Sequence, residues 1–108
     1  MKIYGHQISP PARMVRRVAA YLCVEHEYVI VDILKSEHRQ PEYKEKNPNL
    51  KIPILEDGDF TLYESIAIIR YLADTFDKSE TLLPKDPKQR ALVNMHLAVL
   101  NDVRYSGQ

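Results

Sequence analysis

Cysteine is almost absent: Cys23 is the single example in 108 residues, which excludes an internal disulfide and leaves no Cys-x-x-Cys pair for dithiol redox chemistry. A reducing compartment fits that usage. Net charge is absent as well, since lysine plus arginine and aspartate plus glutamate each total 15. Without a field of one sign, nucleic acid and anionic membrane surfaces are disfavoured partners. No segment approaches the roughly 20 apolar residues of a membrane helix, and the opening MKIYGHQISPP has no apolar core of the kind a secretory leader carries. These absences predict a soluble, cytoplasmic protein. Internal repeats and low-complexity runs are missing too, and His6, His26 and His96 lack metal-ligand spacing, so neither metal nor nucleotide is expected.

What remains is 44% hydrophobic, enough for one packed core. Lys2 to Gln7 reads as a first strand, with Ile3 and Gly5 on one face and Tyr4 and His6 on the other. Ser9-Pro10-Pro11 then starts a helix, because proline is tolerated in a first turn where its missing N–H has no partner anyway. The spacing Ala12, Val15, Ala19, Leu22 marks its apolar stripe, Arg13, Arg16 and Arg17 face elsewhere, and Cys23 is taken as a packed thiol near the inner side. Glu27 to Leu34 is β-branched and nearly continuously apolar, as for a strand covered on both faces and parallel to the first. Ser36 to Asn47 is polar, with a short helix from Pro41 ending before Pro48.

The stretch Asn47 to Ser65 organises the rest: a strand, an acidic glycine turn at Asp57-Gly58, a second strand in which Phe60 and Leu62 share the buried face, then a helix from Ser65 through Phe76. Pro53 interrupts the first of these strands. Proline cannot donate to a ladder, so it marks an edge, and either isomer of the Ile52–Pro53 bond is open. Beside that edge, the start of the Ser65 helix presents unpaired N–H groups that favour a carboxylate. An extended peptide with a terminal carboxylate fits both features. Asp77 to Asp86 is a linker by composition, and Asp86-Pro87 caps a helix from Lys88 to about Arg104. Its apolar residues, among them Leu92, Met95, Val99 and Leu100, spread too widely for one contact face. A second subunit or a further segment should cover them.

Taken together, NPNLKIPILEDGDFTLYESIAIIRYLAD resembles the glutathione-binding core of cytosolic glutathione transferases, and the likeness runs from Lys2 to about Val103. The resemblance implies an α/β, thioredoxin-like domain (β-α-β-α-β-β-α) over residues 1–76, a linker over 77–86, and over 87–108 the first helix of an all-helical second domain. SPPAR, at Ser9, Pro10, Pro11 and Arg13, is similar to the serine-type enzymes of the insect delta class, and the plant phi class shares the serine. By that likeness Ser9 donates its hydroxyl to the thiol of glutathione. The plainer reading of Ser9 is a helix N-cap.

The likeness further implies that Glu64 pairs the amine and Ser65 the carboxylate of the γ-glutamyl group, and that Ile52 offers its backbone to the cysteinyl unit with Pro53 keeping the edge open. His38, Arg39 and Lys51 would meet the glycine carboxylate. Without it, Glu64 and Ser65 are ordinary first-turn residues, while His38 and Arg39 are surface loop residues. Leu50 stands where delta enzymes commonly carry a glutathione-contacting histidine, and Ile66 where an arginine often follows Glu-Ser. The expected function is a glutathione transferase, or its amino-terminal portion, acting on a small electrophile with glutathione as co-substrate, as a homodimer. The alternative is a non-catalytic glutathione-binding or protein-assembly module. Disulfide exchange is weaker, because Ser9 occupies the place of a reactive cysteine in such relatives.

Overall fold

The computed structural model describes residues 1–36, 39–47 and 51–106, with the side chains of Ile33, Tyr43, Lys44 and 101–106 left aside. Its elements run β1 (Lys2–Gly5), α1 (Pro10–Tyr21), β2 (Glu27–Ile30), a 3-10 turn (Ile33–Lys35), α2 (Pro41–Lys46), β3 (Ile54–Asp57), β4 (Phe60–Tyr63), α3 (Ser65–Phe76) and α4 (Pro87–Ser106). The 4-stranded sheet has the order β2-β1-β3-β4. β1 pairs parallel with β2, Ile3 opposite Tyr28, and antiparallel with β3, Ile3 opposite Leu55. β3 and β4 form the expected hairpin, turned at Gly58, whose φ of +62° is open to glycine without the cost a side chain would add.

Strand alternation divides the core. Ile3 and Leu55 meet Val15 and Ala19 of α1 and Ile68, Ile69 and Leu72 of α3. Tyr4 and Ile54, one step along their strands, join a smaller cluster with Ala12, Val31 and Ile52. Each fully buried Ile, Leu or Val stabilises the fold by about 1.5–3 kcal/mol, so the first cluster dominates the packing. The expected stripe of α1 is observed, with Ala12, Val15 and Ala19 buried and Arg13, Arg16 and Arg17 exposed.

Three expectations are corrected. β2 stops at Ile30, and both Ile30 and Leu34 are exposed, at 68% and 73%. It is an edge strand, and Asp32 Oδ1 ends it by accepting from the N–H groups of Leu34 at 3.0 Å and Lys35 at 3.3 Å. Cys23 is exposed rather than packed. The chain leaves α1 through a left-handed Cys23 (φ 56°), whose N–H bonds Ala20 O at 3.1 Å, while Val24 bonds Ala19 O at 2.9 Å and turns inward in its stead. Phe60 is exposed although Leu62 packs on the core, because Phe60 lies beside the turn on an edge strand, with the Tyr71 ring 5.3 Å away.

Asp86 caps α4 as expected, its carboxylate accepting from Gln89 N at 3.1 Å. Leu92, Met95, Val99 and Leu100 are exposed on that helix. Among the described residues no helix is long and apolar enough to cross a membrane, and no group of three metal-ligating side chains converges.

Candidate functional site

The sheet register determines which segments meet. β1 leaves the sheet at Gly5, opposite Ile30 and next to the Tyr4–Ile54 pair at which β3 begins, and Ile54 in turn faces Tyr63, where β4 ends. The turn to Ser9, the Ile52–Pro53 approach and the exit through Glu64-Ser65 therefore all lie at one end of the sheet. Three sites far apart in sequence are neighbours for that reason alone.

After β1 the chain reverses tightly. Ser9 N–H bonds His6 O at 3.0 Å, and Ile8 N–H bonds His6 Nδ1 at 3.1 Å. Ser9 then takes the extended conformation of an N-cap, and its Oγ accepts from Ala12 N–H at 3.3 Å, while its carbonyl accepts from Arg13 N–H at 2.9 Å. The plainer reading of Ser9 is thus realised, at 7% exposure. It does not exhaust the hydroxyl, since a serine that accepts a capping bond keeps its own proton to donate. Pro10 and Pro11 follow in the first turn, where no N–H is lost.

The Ile52–Pro53 bond is cis, one of the two isomers the sequence leaves open. Both residues are buried, and the ladder partners of β3 begin only at Ile54, so Ile52 stands beyond the paired region. Its position is set from upstream by Asn47, 2% exposed, whose Nδ2 donates to the Lys51 carbonyl at 2.9 Å. Lys51 is itself exposed.

At the third segment, Glu64 has φ 76° and ψ 116°, a left-handed-side conformation that costs a non-glycine residue about 1–3 kcal/mol. Such strain gathers at functional sites. Glu64 O accepts from Ile68 N–H at 3.0 Å, and Ser65, 2% exposed, opens α3. The register that gathers Ser9, Ile52–Pro53 and Glu64-Ser65 does not extend to Arg39, which is exposed between the 3-10 turn and α2, its N–H bonded to Ser36 O at 3.1 Å. His38, and the departure at Leu50, lie outside the described residues.

Sequence reasoning missed the polar network behind this end of the sheet. Tyr4 Oη donates to Glu56 Oε1, and Lys46 Nζ stands 3.1 Å from Tyr4 Oη and 3.3 Å from Glu56 Oε2. The hydrogen bond from Tyr4, then Lys46, holds the Glu56 carboxyl below the usual carboxylate range; the separate bond that Lys46 donates to Tyr4 Oη, then Glu56, raises Lys46, with partial burial opposing both shifts. Alternation put Tyr4 and Glu56 on one sheet face, but nothing in the linear order signals their pairing with Lys46.

A model of the glutathione S-transferase N-terminal domain matches residues 3–89. Glutathione S-transferase 1 of Manduca sexta is 38% identical over 98 residues, 90% of this chain and 45% of the relative, and human glutathione S-transferase theta-1 is 37% identical over 91% of the chain and 41% of its own length. Among solved structures, an epsilon-class glutathione S-transferase from the housefly Musca domestica superposes with a TM-score of 0.94 at 33% identity, covering 98% of this chain and 49% of that one. A glutathione transferase homologue from Drosophila mojavensis with bound glutathione has a TM-score of 0.84 at 41% identity, over 86% and 42%. The chain spans less than half the length of these relatives. With a thioredoxin-like sheet and a family match over most of its residues, the chain belongs to the glutathione S-transferase N-terminal domain family.

Proposed function

We propose that the protein binds glutathione at the end of the sheet where Ser9, Ile52–Pro53 and Glu64-Ser65 converge, and activates its thiol for conjugation to a small electrophile. That convergence is the observation that carries the reading. Glu64 pairs the γ-glutamyl amine, and Ser65 with the α3 terminus takes the carboxylate. The Ile52 backbone, held open by Pro53, pairs the cysteinyl unit, and Lys51 and Arg39, with His38, meet the glycine carboxylate. Residues 1–76 form the glutathione domain, 77–86 the linker, and 87–108 the first helix of a helical domain. The protein works in the cytoplasm, in detoxification, as a homodimer.

The reactive species is the thiolate. A free thiol with a pKa near 8.5 is only a few per cent ionised at neutral pH, and lowering it by about two units requires roughly 2.7 kcal/mol of preferential stabilisation. The Ser9 hydroxyl, its Oγ already committed to Ala12 N–H, has its proton to give to sulfur, and a hydrogen bond to an ionised acceptor is about twice as strong as a neutral one. The α1 terminus adds the positive end of its aligned peptide dipoles. Ser9→Ala should raise the bound thiol's pKa, followed by thiolate absorbance, and collapse turnover with a chromogenic electrophile while glutathione still binds in calorimetry. Unchanged turnover would remove Ser9 from the mechanism.

A second reading, a non-catalytic glutathione-binding or assembly module, is favoured by the exposed apolar residues of α4, which a partner protein would cover. Glutathione binding without any turnover, together with a monomer in light scattering, selects that reading over the transferase.

A further inference from the structure

The network behind the candidate site ties three elements together. Tyr4 belongs to β1, Glu56 to β3, and Lys46 is the last residue of α2. Besides its bonds to Tyr4 Oη and Glu56, the Lys46 ammonium lies 4.6 Å from the Tyr4 ring centroid. Tyr4 is 6% exposed, and the Lys46 and Glu56 side chains retain only 27% and 25% exposure. Exposed lysine–glutamate pairs contribute little because water screens them. This pair is different. It is partly withdrawn from water and includes a buried phenol that both donates to the carboxylate and accepts from the ammonium, with the ring face adding cation–π attraction.

The next residue carries the constraint onward. Asn47 is buried and holds the Lys51 carbonyl, so the α2 end, anchored on the two central strands, determines where Lys51 and then Ile52 stand. The Glu64-Ser65 corner is reached along β4 instead, from the Ile54–Tyr63 end of the β3–β4 ladder rather than through Asn47.

We propose that Lys46, Tyr4 and Glu56 are positioning residues for one half of the bound tripeptide: through Asn47 they hold Lys51 at the glycyl end, leaving the γ-glutamyl half to the α3 terminus. The proposal rests on the glutathione reading given above. Its consequence is selective: loosening the network weakens recognition of the glycyl unit and leaves the γ-glutamyl contacts in place. A general loss of structure would weaken both ends together.

Calorimetric titration with glutathione and with γ-glutamylcysteine, which lacks the glycine, separates the two. Lys46→Met removes the cation, Lys46→Arg keeps one, and Tyr4→Phe keeps the ring and its packing while deleting the hydroxyl, so that it stays informative if Lys46→Met unfolds on heating. The parent should prefer glutathione, and Lys46→Met and Tyr4→Phe should each reduce that preference by about tenfold, in the range of networks that act on a site through intermediaries. Affinity for γ-glutamylcysteine should hardly change, and Lys46→Arg should retain most of the preference. A parent without preference, equal losses for both ligands, or no loss in Tyr4→Phe overturns the proposal. A parent that binds neither ligand overturns the glutathione reading itself, and the proposal with it.

Discussion

Gly5 packs close against Ala12 of α1 and Tyr28 of β2, and replacing it by alanine tests how tightly the route to Ser9 is packed. A Cβ built there would overlap Tyr28 Oη and lie 3.0 Å from both Tyr28 Cζ and Ala12 Cβ. Neither neighbour yields easily. Ala12 is fully buried on α1, and Tyr28 is held in β2 opposite Ile3 with the Arg16 guanidinium 4.4 Å from its ring centroid. Overpacking of this kind costs about 1–3 kcal/mol, and a domain of this size loses roughly 4–8 °C in melting temperature per kcal/mol. The Tyr28 hydroxyl is buried without a hydrogen-bond partner among the described residues, and its pKa is raised by that burial, with Arg16 opposing. Tyr28→Phe alone should therefore be neutral or stabilising by up to about 1 kcal/mol. In the Tyr28→Phe background the overlap with the hydroxyl is gone, so Gly5→Ala should cost less, with a coupling of at least about 0.5 kcal/mol. Urea denaturation of the four proteins, followed by circular dichroism, measures the cycle. A Gly5→Ala protein within about 0.5 kcal/mol of the parent, the ordinary range of surface changes, or one equally costly in both backgrounds, refutes the packing argument.

Further outcomes follow from the same structure. Ser9→Ala should lose about 1 kcal/mol of stability from the missing cap, and Ser9→Asp should restore the cap while leaving turnover low, because a carboxylate repels the thiolate; denaturation and a chromogenic assay on the pair separate the two roles. Gly58→Ala should cost about 1 kcal/mol in urea denaturation, since nothing crowds the turn and only the φ of +62° penalises a side chain. For Glu56, whose folded pKa is lowered first by Tyr4 and then by Lys46, the stabilisation is present above the ordinary carboxylate pKa and is lost as pH falls through the depressed folded value. For Lys46, raised first by Tyr4, it is complete below the ordinary lysine pKa and is lost as pH rises through the elevated one. Tyr4→Phe should therefore flatten both limbs of the stability–pH curve relative to the parent, and superimposable curves would show that the phenol does not couple to either charge.

The local rules that made elements legible are those that act over a few residues. Pro10 and Pro11 after Ser9, the Asp57-Gly58 turn and the Asp86-Pro87 cap each direct the backbone by their own sterics or hydrogen bonding, and each stands where the linear pattern put it. Where the reading failed, the deciding neighbour was remote. A run as apolar as Glu27 to Leu34 says nothing about whether a sheet continues beyond it; β2 is the edge, so Ile30 faces water and Asp32 ends the strand. Cys23 sits two residues past the end of α1, at the left-handed residue through which the chain leaves the helix, and stands exposed.

The candidate site shows the same division. Its residue types were legible because a capping serine, a proline break and a Glu-Ser helix entry are chemically distinctive over short distances, and their order together resembles one family. Their adjacency was not, because it arises from the strand register, an outcome of the whole core closing at once. The strained Glu64 backbone and the Tyr4–Lys46–Glu56 network likewise exist only once remote segments are in place. Sequence alone determined where the main turns and caps fall, which faces of its helices are apolar and which residue types gather in the candidate site, since those properties belong to single residues and their near neighbours. The tertiary structure decided which strand is an edge, what lies buried and which distant residues share one end of the sheet, because those depend on contacts that no short window of sequence contains.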